Sequence, residues 1–293
     1  MERASGRRGS RSPPHHGRVS AVRRLRFAAL LLVAALFAPA RASVREGSDA
    51  PGSPEPAALA RLATRVDSLV AAGRVPVVVF DIDGTLTDPS PRTRALFEAY
   101  ATTHARDRAR LRAGLAKVPV ERYAYAPEST LARMGVRDTT LVRRITKAWA
   151  DGFFANKYLG RDTPLAGAPA YVDSLWRHGA YVVYLTGRDA PRMLEGTAAA
   201  LRDRGFPIAH PRAVLVMKPD PKMGDLVFKK AVFDDVARVG PVAGVFENEP
   251  ANLQAMADRF PDAIAVFVDT THDPKKTEVV PARAAWVRDF RLP

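Results

Sequence analysis

The sequence predicts an α/β fold: a parallel sheet of five strands covered by helices on both faces, with a mostly helical segment inserted after the first strand. Three observations lead there. Five short runs, at 77–80, 181–185, 213–217, 242–246 and 264–268, are nearly continuously apolar, as strands covered on both faces must be. Segments with helical apolar spacing follow at 168–178, 190–204, 225–239 and 250–259, so from the second strand onward the chain reads as compact strand–helix–strand units. About a hundred residues separate Phe80 from Tyr181, far more than one crossover helix needs, and an inserted subdomain is the economical explanation.

Taken in order, the chain begins with a strongly basic stretch. Residues 1–42 hold nine arginines against the single acid Glu2. This stretch leads into an apolar run at 27–38, too short to span a bilayer comfortably, and then Ala40-Arg41-Ala42, a small-x-small cleavage pattern. A secretory signal peptide over 1–42 is the reading. It places the mature protein in the periplasm or outside the cell, with no lasting membrane anchor once the signal is removed. Arg23-Arg24 leaves the export route open between the general and twin-arginine pathways. Residues 43–58 are small, polar and rich in proline and glycine, the composition of a flexible linker. An α/β core is expected from 59–88 and 168–293, and the helical insertion from 89–167, with helical spacing at 92–117 and 139–154.

Chemistry in an open parallel sheet belongs just beyond the carboxyl ends of the strands. The first strand runs into Asp81-Ile82-Asp83-Gly84-Thr85, the second into Thr186-Gly187-Arg188-Asp189, and the fourth into Glu247-Asn248-Glu249-Pro250. An apolar strand followed by Asp-x-Asp-Gly-Thr resembles the first motif of the haloacid dehalogenase superfamily, and Thr-Gly-Arg after the second strand resembles its second motif. The resemblance implies a Rossmann-like core with a cap inserted after the first strand. Asp81 would be the nucleophile toward phosphorus, and Asp83 the general acid and base, brought back over the same centre by the turn at Gly84. An aspartate at the second position favours phosphate-ester chemistry over dehalogenation within this superfamily. Thr186 would orient the transferred group, with backbone amides at a helix start beside it. Two carboxylates facing a phosphate repel it, so a hard cation, Mg2+, is expected, held by Asp81, the backbone carbonyl of Asp83, and Glu247.

Glu247 departs from the family pattern, which usually has aspartate there; the longer side chain still supplies a hard oxygen ligand. Asn248 or Glu249 could complete or orient the metal shell, and Glu249 could equally serve the helix that starts at Pro250. The family's third motif is a lysine, and Lys218, Lys222, Lys229 and Lys230 are all candidates by position. Similar sequences carry it in a Phe-Lys pair opening the helix before the fourth strand, which selects Lys229, beside a buried stripe of Phe228, Val232 and Val236.

Several function classes fall away. With no cysteine there is no disulfide, thiolate metal site or cysteine nucleophile. The six histidines show no metal-ligand spacing, and serine-hydrolase and glycine-rich nucleotide signatures are absent. The formal net charge of +14 suggests nucleic acid at first sight, but the most arginine-dense stretch, 106–112, has no aromatic residue for stacking. The insertion holds fifteen basic residues against seven acids, while the rest of the mature chain is close to neutral. The expected partner is therefore a small phosphorylated anion, with no nucleic acid. The reading is an exported Mg2+-dependent phosphatase. Phosphotransfer to an alcohol, or a non-catalytic protein that binds an anion or a partner, are the alternatives. The tail at 286–293 is expected to pack on the sheet edge or meet a partner.

Overall fold

The computed structural model describes residues 55–276 and 279–292. The expected signal peptide at 1–42 and most of the expected linker at 43–58 lie outside these residues. The linker boundary needs one correction, because Ala57 and Ala58 already belong to the first helix, where Ala58 and Leu59 are buried.

The elements in chain order are α1 (Ala57–Ala71), β1 (Val77–Phe80), β2 (Thr87–Asp88), α2 (Ser90–Thr103), α3 (Ala105–Lys117), α4 (Pro127–Arg133), α5 (Thr139–Phe153), β3 (Thr163–Pro164), α6 (Ala168–Arg177), β4 (Tyr181–Asp189), α7 (Ala190–Asp203), β5 (Ala213–Lys218), α8 (Asp225–Val239), β6 (Val242–Glu247), α9 (Pro250–Arg259), β7 (Ile264–Val268) and β8 (Ala285–Val287). The main sheet has the order β5-β4-β1-β6-β7-β8, and every pairing in it is parallel. It has six strands where the sequence predicts five. The sixth, β8, is three residues of the tail paired with β7, too short to carry a strand pattern of its own.

The apolar runs are buried on both faces because two separate cores use alternate residues. In β1, Val78 and Phe80 join Leu62 and Val66 of α1 and Tyr171, Val172 and Leu175 of α6. Val77 and Val79 face the opposite way, onto Phe228, Phe233 and Val236 of α8 and Leu253 and Met256 of α9. A period of two along the strand thus serves a three-layer α/β/α arrangement. Phe80, Phe246 and Phe290 form an aromatic group at the strand ends, with Phe80 stacked on Phe246 at 4.6 Å.

Between β2 and β3 the chain forms helices α2 to α5, with a 3-10 segment at Asn156–Arg161. This segment has its own core, in which Phe97, Tyr100, Leu111, Leu115, Tyr123, Leu131 and Ile145 are buried together. Its entering and leaving chains are tied by the antiparallel pair β2–β3. The sequence suggests one helix over 92–117, but the chain breaks at His104, whose φ of −114° and ψ of 87° are not helical. The His104 ring stacks on Tyr100 at 3.8 Å.

From β1 the chain moves to β4 and β5 on one side, then returns to β6, β7 and β8 on the other. The reversal falls between β1 and β6. A crevice opens beyond the carboxyl ends of strands at such a point, and these two strands deliver Asp81 and Glu247 to it.

Candidate active site

Asp81 follows β1 directly and Glu247 closes β6. Phe80 lies opposite Phe246 in the parallel register, and the Asp81 N–H donates to the Phe246 carbonyl at 3.1 Å, so pairing of the two strands carries both carboxylates to the same edge. Lys229 enters between them from α8. Its Nζ donates to Asp81 Oδ1 at 2.7 Å and to Glu247 Oε2 at 2.5 Å, and all three side chains are buried. The neighbouring Phe228, with Phe233 and Val236, docks α8 on the sheet and holds Lys229 over the strand ends. The other candidate lysines do not bond Asp81 or Glu247: Lys218 and Lys222 line the same cavity, Lys218 Nζ bonding Asp225 Oδ1 at 2.7 Å and the Met223 carbonyl and Lys222 being exposed, while Lys230 is exposed outside it.

Glu247 is tightly oriented. Its Oε1 accepts the N–H groups of Asn248 and Glu249 at 2.9 and 3.0 Å. Two buried carboxylates beside one ammonium leave an excess negative charge. Burial, with Glu247 next, pushes Asp81 up to about 8 against the pull of Lys229.

Asp83 has opposite surroundings. Its Oδ1 accepts from Arg92 at 2.5 Å and from Arg188 at 2.8 Å, and Oδ2 accepts from Arg188 Nε at 2.7 Å. Burial would raise this carboxyl, but Arg188 and Arg92 outweigh it and hold it well below the usual carboxylate range. The turn that presents it needs Gly84, at φ +79°. A Cβ there would lie 2.2 Å from Asn248 Nδ2, and Thr270 Oγ1 donates to the Gly84 carbonyl at 2.5 Å.

Thr186 is buried and lines the same cavity as Asp81 and Asp83. Its Oγ1 accepts the Arg188 N–H at 3.2 Å. It does not cap α7; Asp189 does, accepting the Arg192 N–H at 3.1 Å. Asn248 and Glu249 are positioned by other partners. Asn248 accepts from Thr85 Oγ1 at 3.2 Å and donates to the Thr271 carbonyl at 2.9 Å. Glu249 pairs with Lys276 at 3.0 Å and accepts the Asp273 N–H. Both therefore brace the loops around the site.

Sequence reasoning missed the two-arginine grip. Arg92 opens α2 and is fully buried, with its guanidinium over the Phe153 ring at 3.8 Å. Asp162, just before β3, is the second carboxylate of the group and pairs with Arg188 at 2.7 Å. Arg188 stands in the Thr-Gly-Arg motif, where position could have singled it out. Arg92 is one basic residue among many in the insertion, and nothing in the linear sequence marks it.

A cavity of about 850 Å³ opens over these groups. Its floor is Asp81, Asp83, Thr186, Lys229 and Glu247, and its far wall comes from the insertion. Among the described residues, no three metal-binding side chains form a cluster. The donor set nonetheless fits Mg2+, which is commonly bound by one or two carboxylates and otherwise by water and substrate oxygens. Asp81 uses Oδ1 for Lys229, and Glu247 uses three of its four lone-pair sites. Hard oxygen donors remain on both, beside the unbalanced charge a cation would offset.

The haloacid dehalogenase-like hydrolase family model matches residues 75–273, and the chain belongs to that family. No curated protein matches it. Among solved structures, it is similar to the class C acid phosphatase from Bacillus anthracis, with 16% identity over 72% of this chain and 76% of that one and a TM-score of 0.42. A dehalogenase shows 16% identity over 74% and 94% of the two chains, with a TM-score of 0.42. A haloacid dehalogenase-like family protein from Streptococcus pneumoniae shows 15% identity over 68% and 88%, with a TM-score of 0.39.

Proposed function

We propose that this hydrolase is an exported phosphomonoesterase working through an aspartyl-phosphate on Asp81. The observation that carries the reading is the Lys229 ammonium seated between Asp81 and Glu247, with Asp83 facing the same cavity. An Asp81 carboxylate oxygen attacks phosphorus, and the bond from phosphorus to the ester oxygen breaks as the new one forms. The departing alcohol takes a proton from Asp83. Water then attacks phosphorus while Asp83 accepts its proton, the bond to Asp81 breaks, and inorganic phosphate leaves.

The ionised Asp83 gripped by Arg92 and Arg188 is in the form that the water step uses. For the first step it must carry a proton, so the grip has to loosen when the ester binds. Lys229 balances charge on the phosphorylated Asp81, and the Thr186 hydroxyl orients the phosphoryl group. Mg2+, held by Asp81, Glu247 and the backbone carbonyl of Asp83, supplies the positive charge that lets an anionic phosphoryl group approach two carboxylates. The insertion at 89–167 serves as a cap, and export follows from cleavage after Ala42, which N-terminal sequencing of the extracted protein would check.

The test is hydrolysis of 4-nitrophenyl phosphate with and without Mg2+, comparing the wild type with Asp81→Asn. Removal of the nucleophile is expected to lower kcat by about a thousandfold or more. Turnover unaffected by Asp81→Asn would overturn the mechanism.

A further inference from the structure

The cavity is far larger than a phosphoryl group, and the insertion lines its outer part in a particular way. Among the described residues, two aromatic side chains stand exposed, Tyr125 at 48% and Phe154 at 39%. Both line this cavity, although one precedes α4 and the other follows α5. Phe154 is backed by Phe153 at 5.2 Å, edge to face, and Phe153 by Trp149 at 4.4 Å. Leaving such rings open to water forgoes the burial that aromatic residues normally obtain.

Behind this wall the Tyr123 hydroxyl and Thr146 Oγ1 are closed off from the cavity and have no hydrogen-bond partner among the described residues, so the ring faces, and not these hydroxyls, are what the wall presents. Among the cations of this cavity, Arg192 is paired with Asp189 and lies over the Phe154 ring at 5.5 Å, Lys218 is paired with Asp225, and Lys222 is exposed at the rim.

Resting on the phosphatase reading, we propose that the leaving group of the substrate carries a planar ring, as in a nucleoside monophosphate. The ring seats against Tyr125 and Phe154. Stacking of a base on an aromatic side chain tolerates any base, since each has a π-face, so the site selects a ring and not one particular base.

The test uses the purified chain with Mg2+ and two esters of the same primary alcohol position, adenosine 5'-monophosphate and ribose 5-phosphate. The nucleotide is expected to show a kcat/KM about tenfold higher. Phe154→Ala and Tyr125→Ala should each cost the nucleotide more than the sugar phosphate, mainly in KM. Phe154→Leu, which keeps apolar bulk without the ring, should behave like Phe154→Ala. Adenosine, which has no phosphoryl group, should inhibit competitively. Equal kcat/KM for the two esters, or equal losses on both in the variants, would overturn the inference while leaving the phosphatase reading intact. No turnover of either ester or of 4-nitrophenyl phosphate would overturn that reading, and the inference with it.

Discussion

Asp83 and Asp162 share the same two guanidinium groups, but not equally. Arg92 and Arg188 donate three hydrogen bonds to Asp83. Asp162 receives one, from Arg188; its Oδ1 lies 3.0 Å from Arg92 Nε without hydrogen-bond alignment and has no other partner. The better-bonded carboxyl is held ionised, while burial pushes Asp162 up to about 6 against Arg92 and Arg188. One cationic pair thus separates two acids, and the insertion supplies half of the pair and the second acid.

This division makes stability depend on pH through Asp162. Between the unfolded value near 3.9 and about 6, the folded protein holds a proton at Asp162 that the unfolded chain has released. Stability from this group is therefore full below the unfolded value and declines as pH rises through about 6. The expected loss is on the order of 2 kcal/mol. Urea unfolding of the wild type and Asp162→Asn from pH 4 to pH 7 checks it; the variant should lack this part of the slope. An identical slope in both proteins would show that Asp162 is ionised throughout.

Divalent cation binding is expected to raise the melting temperature. A ligand that binds only the folded protein stabilises it by about 2.7 kcal/mol at one hundred times its Kd, and thermal melts with Mg2+ or with a chelator read this without any substrate. Glu247→Gln keeps the shape but removes the charge, and should abolish most of the Mg2+-dependent shift. An undiminished shift would place the ion away from Glu247.

Lys229→Met removes the ammonium seated between Asp81 and Glu247. Breaking a buried pair in this way typically costs about 3–5 kcal/mol, and charge balance on the proposed aspartyl-phosphate would be lost with it. The expected outcome is a lower urea midpoint and a fall in kcat of about a hundredfold or more. A variant with near-normal kcat would assign Lys229 to stability alone.

Gly84→Ala is expected to destabilise by roughly 2 kcal/mol or more, because the backbone is left-handed there and the added carbon meets the Asn248 amide. Asn248→Ala should relieve part of the clash, so a double-mutant cycle on thermal unfolding ought to show coupling between the two positions. Strict additivity would mean that backbone conformation alone sets the cost.

The basic surplus of the insertion is expected to steer phosphorylated substrates. Raising ionic strength from about 0.01 M to about 1 M shortens the screening length from roughly 30 to 3 Å, and kcat/KM for an anionic ester should fall over that range. A value independent of salt would reduce this charge to a solvated helical surface.

Much of the sheet and its flanking helices could be read in the linear chain because burial on both faces writes itself as continuous apolar runs. The expected and observed bounds of β1, β7, α8 and α9 coincide. The tail strand β8 could not be read, since three residues carry no periodicity and its pairing depends on an edge that β7 provides. The break at His104 falls at Thr102-Thr103-His104, three weak helix formers, a local signal that the apolar spacing over 92–117 overrode.

At the site, Asp81, Asp83, Thr186 and Glu247 stood out by their places after strands, which is a local property of the sequence. Lys229 was selected among four lysines only through the family resemblance of its Phe-Lys pair, and its distance to Asp81 is what separates it from Lys218, Lys222 and Lys230 in the structure; the roles of Arg92 and Asp162 required the insertion to fold back on the core. Sequence alone therefore determined the family, the carboxylates at the strand ends and the presence of an insertion. Tertiary structure decided which charges meet, because ionisation of a buried carboxyl depends on partners brought from 9 to 148 residues away along the chain, and no local pattern records them.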